Sequence, residues 1–106
     1  MKLFKRSLPT LILEVLSDGP EFGYEIAKRI KRMEPGVLDN QEALLYPDLY
    51  ELEMKGILES YTQPYKEGRV RRYYRITQKG RGLMNRDAKE LKRILAMPAL
   101  APEGAA

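Results

Sequence analysis

Residues 40–56 constrain this chain more than any other stretch. They read as one helix with a start, two faces and a stop. Leu45, Leu49 and Leu52 recur at i, i+4 and i+7 and form an apolar stripe. Asn40 is placed to cap the helix. So is Asp39, which would put Glu42 three residues on in a capping box. Gly56 ends it, after a Lys55 that suits the negative end of the helix dipole. The opposite face carries Gln41, Ala43, Tyr46, Pro47 and Tyr50, small or aromatic toward the N-terminal end. A helix that enters a DNA major groove leads with its N-terminal residues in this way, although an ordinary core helix would share the stripe. Proline inside a helix costs about 3 kcal/mol, so Pro47 is expected early in the helix or at a kink.

The charge along the chain is sharply divided. The net charge of +4 is mild. Residues 39–53 hold five acids (Asp39, Glu42, Asp48, Glu51, Glu53) and no base. Residues 66–81 hold seven bases (Lys66, Arg69, Arg71, Arg72, Arg75, Lys79, Arg81) against Glu67 alone. A basic run of that density points to a polyanion, against the plainer reading of a solvated face.

The rest of the chain places these two segments. Residues 7–16 predict a helix capped by Ser7, with Pro9 in its first turn. Leu8, Leu11, Ile12, Val15 and Leu16 form its core stripe, and Asp18-Gly19-Pro20 breaks it. Residues 22–33 predict a second helix. Ile26, Ala27, Ile30 and Met33 face inward, while Lys28, Arg29, Lys31 and Arg32 face outward, toward phosphates or merely toward water. Residues 57–65 and 70–77 alternate like two strands joined at Lys66-Glu67-Gly68-Arg69, and Pro64 suits an edge strand. Tyr46, Tyr50, Tyr61, Tyr65 and Tyr73 offer hydroxyls to phosphates; Tyr74, beside Ile76, is assigned to packing.

Thr77 can cap a last helix reaching to about residue 97. Met84, Ala88, Leu91 and Leu95 run at spacings of 4, 3 and 4, with Ile94 widening the seam. About 20 helical residues would span roughly 30 Å, long enough to meet a second copy of the chain. Residues 98–106 read as a disordered tail.

The 106 residues suffice for one small domain. Cysteine and histidine are both absent, which excludes disulfides, thiolate chemistry, His-based acid–base catalysis and the usual zinc sites. No glycine-rich phosphate loop or calcium-loop spacing occurs. No catalytic residue, metal ligand or cofactor is expected. No stretch has the apolar length of a membrane span, and no signal peptide is read at the basic start, so a cytoplasmic protein is expected.

Three helices followed by a basic hairpin is the order of a winged helix-turn-helix. The motifs sharpen that reading. Phe22-Gly23-Tyr24-Glu25-Ile26 resembles the His-Gly-Tyr-Glu-Ile of PadR-like transcriptional regulators, and Glu42-Ala43-Leu44-Leu45-Tyr46-Pro47 resembles their Glu-Gly-Thr-Leu-Tyr-Pro. Leu52-Glu53 with Gly56 resembles their Leu-Glu-x-x-Gly. Residues 68–77 with Gly80 resemble their wing, Gly-Arg-x-Arg-Lys-Tyr-Tyr-x-Leu-Thr-x-x-Gly. The resemblance covers residues 8–97 in one order. It implies a repressor that dimerises through its last helix with help from the first, a recognition helix at about residues 41–55, and a wing on phosphates or in the minor groove. Phe22 departs from the family's histidine and Leu44 from its threonine. Glu51 stands where arginine is usual, and Asp48 where a small or apolar residue is usual.

The expected architecture is therefore mainly α with a small antiparallel β-hairpin. A winged helix-turn-helix occupies residues 1–77, a long C-terminal dimerisation helix residues 78–97, and a tail residues 98–106. The expected function is sequence-specific DNA binding and transcriptional regulation, as a repressor on a palindromic operator. Gln41, Ala43, Tyr46, Pro47, Tyr50, Arg69, Arg71, Arg72 and Tyr73 contact DNA. Met84, Ala88, Leu91, Ile94 and Leu95 are expected to form the homodimer seam, and the resemblance implies a possible site there for a small-molecule effector of unspecified identity. The alternative is a winged-helix protein-interaction module that uses its acidic third helix. Asp48 and Glu51 exposed on that helix would favour the alternative; turned into internal ion pairs they would favour DNA binding.

Overall fold

The computed structural model describes residues 6–98. Helix α1 (Leu8–Leu16) begins where the sequence predicts, with Ser7 Oγ accepting the Thr10 N–H at 3.3 Å. It buries Leu11, Ile12, Val15 and Leu16, and also Leu13. Strand β1 (Glu21–Phe22) follows, then α2 (Gly23–Met33). Phe22 therefore ends a short strand instead of opening the helix. A 3₁₀ turn (Glu42–Leu44) leads into α3 (Leu45–Met54). Strands β2 (Leu58–Lys66) and β3 (Arg69–Ile76) form the hairpin, and α4 (Gln78–Arg86) and α5 (Ala88–Ala96) close the chain.

The sheet is antiparallel in the order β1-β3-β2, with Phe22 opposite Tyr73, Tyr61 opposite Tyr73 and Leu58 opposite Ile76. The edge position of β2 leaves room for Pro64, which has no N–H to offer a second neighbour. One face of the sheet closes the core. Leu58, Tyr74 and Ile76 meet the inward stripes of α1, α2 and α3 there, and Leu38 and Ile57 are fully buried beside them. Gly56 takes a φ of +77°, which stops α3 and sends the chain into β2.

Two further sequence expectations are corrected. Neither Asp39 nor Asn40 caps the third helix. Both have positive φ, 49° and 62°, inside a turn closed by the Gln41 N–H donating to Leu38 O at 2.8 Å. An N-cap needs an extended φ, so these side chains serve the turn, as Asn and Asp do best. The long last helix is also interrupted. Asp87 sits at φ −148°, ψ 70°, ends α4, and caps α5 by accepting the Glu90 N–H at 3.1 Å. A capping aspartate competes with the helix interior for backbone bonds. The result is two nine-residue helices instead of one rod. The break lets Leu91 and Leu95 of α5, with Met84 of α4, pack against the core they were expected to leave. Ala88 is exposed and Ile94 half-buried. Of the expected tail, residues 99–106 lie outside the described residues.

Candidate nucleic-acid interface

Helix α3 turns Leu45, Leu49 and Leu52 into the core. At 100° per residue this directs Pro47, Tyr50 and Met54 outward, Tyr46 and Glu53 toward the hairpin, and Asp48 and Glu51 to the other flank. Pro47 is the third helical residue, where its missing N–H costs nothing. Gln41, Ala43, Tyr46, Pro47 and Tyr50 are all exposed, Tyr46 at 49% and Tyr50 at 61%. Leu44, 48% exposed, joins them; its departure from threonine is its only mark in the sequence.

Tyr46 is seated by a close approach. A Cβ on Gly23 would lie 2.8 Å from the Tyr46 hydroxyl and 3.0 Å from its ring, so only glycine at the start of α2 admits this ring. The segment before α3 is tied to α2 by Lys31, whose Nζ donates to Glu42 Oε1 at 2.8 Å. That bond holds the Glu42 carboxyl below its ordinary pKa. The other bases of α2 are also engaged: Arg29 with Asp18 at 2.7 Å, and Lys28 and Arg32 with Glu25, each at 3.8 Å. The basic face of α2 is thus largely neutralised within the fold.

Between α3 and the hairpin runs an open groove of two adjoining parts that share Arg72 and Tyr74. One part, of about 440 Å³, adds Tyr50, Glu53 and Met54. The other, of about 410 Å³, adds Phe22, Gly23, Tyr24, Tyr46 and Arg71. Arg72 is braced across it: its guanidinium donates to Ser60 Oγ at 2.8 Å, and that hydroxyl donates to Glu53 Oε2 at 2.7 Å. This relay fastens the hairpin to α3 and was not visible in the sequence, because Ser60 carries no signal of its own.

Strand alternation separates the hairpin's arginines. Arg72 shares one face with Tyr74, whereas Arg71, Tyr73 and Arg75 spring from the other, from which Arg71 still reaches the groove's rim. Tyr73 stacks on Tyr61 at 5.7 Å and meets Phe22 edge-on at 5.6 Å, so it is occupied there. Arg75 pairs with Glu59 at 2.6 Å. Arg69, at the exposed hairpin turn, holds no ion pair among the described residues. Val70 beside it is 64% exposed.

Asp48 and Glu51 are both half-buried on the flank of α3. Burial raises the Asp48 pKa, the neighbouring Glu51 raises it further, and Lys55 draws it partly back. Their partial burial lies between full exposure and full enclosure, the two outcomes weighed from the sequence. Among the described residues no group of side chains is arranged to hold a metal ion, and no helix is long and apolar enough to cross a membrane.

Residues 12–86 match the transcriptional regulator PadR-like family. The chain belongs to that family. PadR-like proteins are transcriptional regulators, not enzymes, and the chain has their mostly helical winged-helix fold with a three-stranded antiparallel sheet. It is 33% identical over 99 residues to the transcriptional regulator Rv3488 of Mycobacterium tuberculosis, covering 89% of this chain and 85% of that protein. A PadR family transcription regulator from Clostridium difficile R20291 has a similar structure, with TM-score 0.65 and 27% identity, over 82% of this chain and 88% of the other. Bacillus subtilis PadR, in a structure with operator DNA, shares the fold at TM-score 0.61 and 23% identity, over 95% of this chain and 53% of that one.

Proposed function

We propose that this PadR-like chain is a cytoplasmic repressor that binds a palindromic operator in duplex DNA as a homodimer. The observation that carries the reading is the pairing of surfaces across one groove. Tyr46 and Tyr50 of α3 line one side of it and Arg71 and Arg72 of the basic wing the other, while Gln41, Ala43 and Pro47 are exposed on α3 and the turn before it. Gln41 can read adenine with its amide, and Ala43 is small enough to meet a thymine methyl. Tyr46 and Arg72 reach toward phosphates beside the groove, and Arg69 projects from the wing tip. The residue assignments for DNA contact rest on these placements.

Helix α5 supports dimerisation. Ala88, Leu91 and Leu95 line a shallow apolar groove of about 290 Å³ beside Thr10 of α1. A second copy using the same surface would close a two-fold dimer and set two α3 helices on one side of the duplex. Half-sites would then lie about one helical turn apart. A small-molecule effector at the dimer interface would reach this same meeting of α5 and α1.

Selection of bound duplexes from a random pool, with affinity then measured across salt, tests the reading. A palindromic consensus with strongly salt-dependent affinity is expected, and Gln41→Ala should relax the preference at one base pair per half-site. Leu91→Asp with Leu95→Asp should yield a monomer by light scattering and a weak gel shift. A folded wild-type protein that enriches no duplex would refute DNA recognition and leave the protein-interaction alternative, through the acidic flank at Asp48 and Glu51. A wild-type monomer at tens of micromolar would refute the dimer.

A further inference from the structure

Two arginines of the wing lie over aromatic rings: Arg75 over Tyr61 alone, at 4.8 Å, and Arg71 over two rings at once. The Arg71 guanidinium carbon lies 4.0 Å from the centroid of the Phe22 ring and 3.6 Å from that of Tyr65. Phe22 ends β1, directly before α2. Tyr65 sits near the hairpin turn, at the irregular step of β2 between Pro64 and Lys66. A single planar cation therefore bridges the start of α2 to the far end of the wing.

The wing needs such a bridge. Strand β1 ends opposite Tyr73, so beyond that point the hairpin continues with no third strand. From residue 62 to residue 72 every residue is exposed except Arg71, which is half-buried. A two-stranded hairpin without a packed face is marginally stable in water. Among the described residues, the Arg71 stack joins this projecting part to the body of the domain through aromatic rings, beside the Arg72–Ser60–Glu53 relay on the other face. It suits arginine alone, because the flat guanidinium stacks on rings and a lysine ammonium does not reproduce that fit.

Resting on the DNA-binding reading above, we propose that Arg71 is a positioning residue. Stacked between Phe22 and Tyr65, it sets the angle of the wing so that Arg69 and Arg72 meet the phosphates. Its positive charge is secondary. Phe22 supplies a ring that is neutral at every pH, where the resembling family carries histidine, so the stack holds without regard to protonation.

The test compares Phe22→Leu, Phe22→Tyr and Arg71→Lys with wild type on the selected operator, across salt. Each phosphate contact contributes about −0.9 to the log–log salt slope. Phe22→Leu removes no charge, yet it should flatten the slope by about one unit or more, and Arg71→Lys should do the same although it keeps the charge. Phe22→Tyr, which retains the ring, should retain the slope. A purely structural role would instead lower the melting temperature and leave the slope of the folded protein unchanged. Wild-type slope and affinity in Phe22→Leu, or in Arg71→Lys, would overturn the proposal. If Phe22→Leu does not fold, Tyr65→Leu, at an exposed site, carries the same comparison. Amide exchange at Arg69 and Val70 without DNA gives an independent arm. It should quicken in Phe22→Leu and Arg71→Lys but not in Phe22→Tyr, and equal exchange in all would refute the stack's role. A wild-type protein that binds no duplex would defeat the DNA reading while leaving this second arm to judge the stack.

Discussion

Removing one hydroxyl at Thr77 should loosen the joint between the end of α3, the sheet and α4. Thr77 Oγ1 accepts the Gly80 N–H at 3.0 Å and caps α4. The same hydroxyl donates to the Gly56 carbonyl at 2.6 Å, just past the C-terminus of α3, with Ile57 O a second acceptor at 3.1 Å. The Thr77 N–H, donating to Ile57 O at 2.9 Å, holds the backbone in place, so an alanine there would stay in register. Loss of a threonine cap costs about 1 kcal/mol. Loss of the half-buried bond to Gly56 O costs about another 1 kcal/mol. A total near 2 kcal/mol lowers the melting temperature of a domain this size by roughly 8–16 °C. Circular dichroism melts of Thr77→Ala and Thr77→Ser, at one fixed protein concentration, measure it. Serine keeps both bonds and should lose less than half as much. A Thr77→Ala melt within about 2 °C of wild type would refute the reasoning that this hydroxyl holds the joint.

Three further outcomes follow from the interface. Gly23→Ala places a Cβ 2.8 Å from the Tyr46 hydroxyl; it should displace that ring and weaken operator binding roughly tenfold, about 1.4 kcal/mol by gel shift, whereas unchanged binding would free Tyr46 from the interface. Arg69→Ala should flatten the salt slope by about 0.9, so that raising salt from about 50 to about 200 mM costs the mutant about 3.5-fold less affinity than wild type; an unchanged slope would take the wing tip off the DNA. Asp48 has a folded pKa raised by burial and by Glu51, so its contribution favours the fold below the ordinary aspartate range and is lost as pH rises through the raised value. Asp48→Asn should accordingly be more stable than wild type at neutral pH, with the difference vanishing in acid below the unfolded aspartate pKa; denaturant melts at both pH values check the sign.

Local patterns in this sequence were sufficient for much of its local structure. The stripes of α1, α2 and α3, the Ser7 cap, the Gly56 stop and the alternation of the hairpin all depend on residues within a turn or two of one another, and periodicity reports them directly. The same holds for the exposed face of α3, since burying Leu45, Leu49 and Leu52 leaves Pro47 and Tyr50 nowhere to go but outward. The linear charge segregation also marked the wing as the basic element.

Other features depended on which residues meet in space. Asp39 and Asn40 have good capping side chains, but the short path from α2 to α3 bends them into a left-handed turn, and backbone closure outweighs side-chain preference. Asp87 reads as one polar residue in a long helix until the core draws Leu91 and Leu95 back toward it; burial of those side chains then favours a break that a capping aspartate makes cheap. The arginines of the wing look alike in the chain, yet the pleat starts Arg72 and Arg71 from opposite faces, so that Arg72 bonds to Ser60 while Arg71 stacks on Phe22 and Tyr65, which arrive from separate elements. Sequence period determines which residues share a face, whereas pairing between distant segments decides what each face touches, and only the closed tertiary structure specifies those pairs.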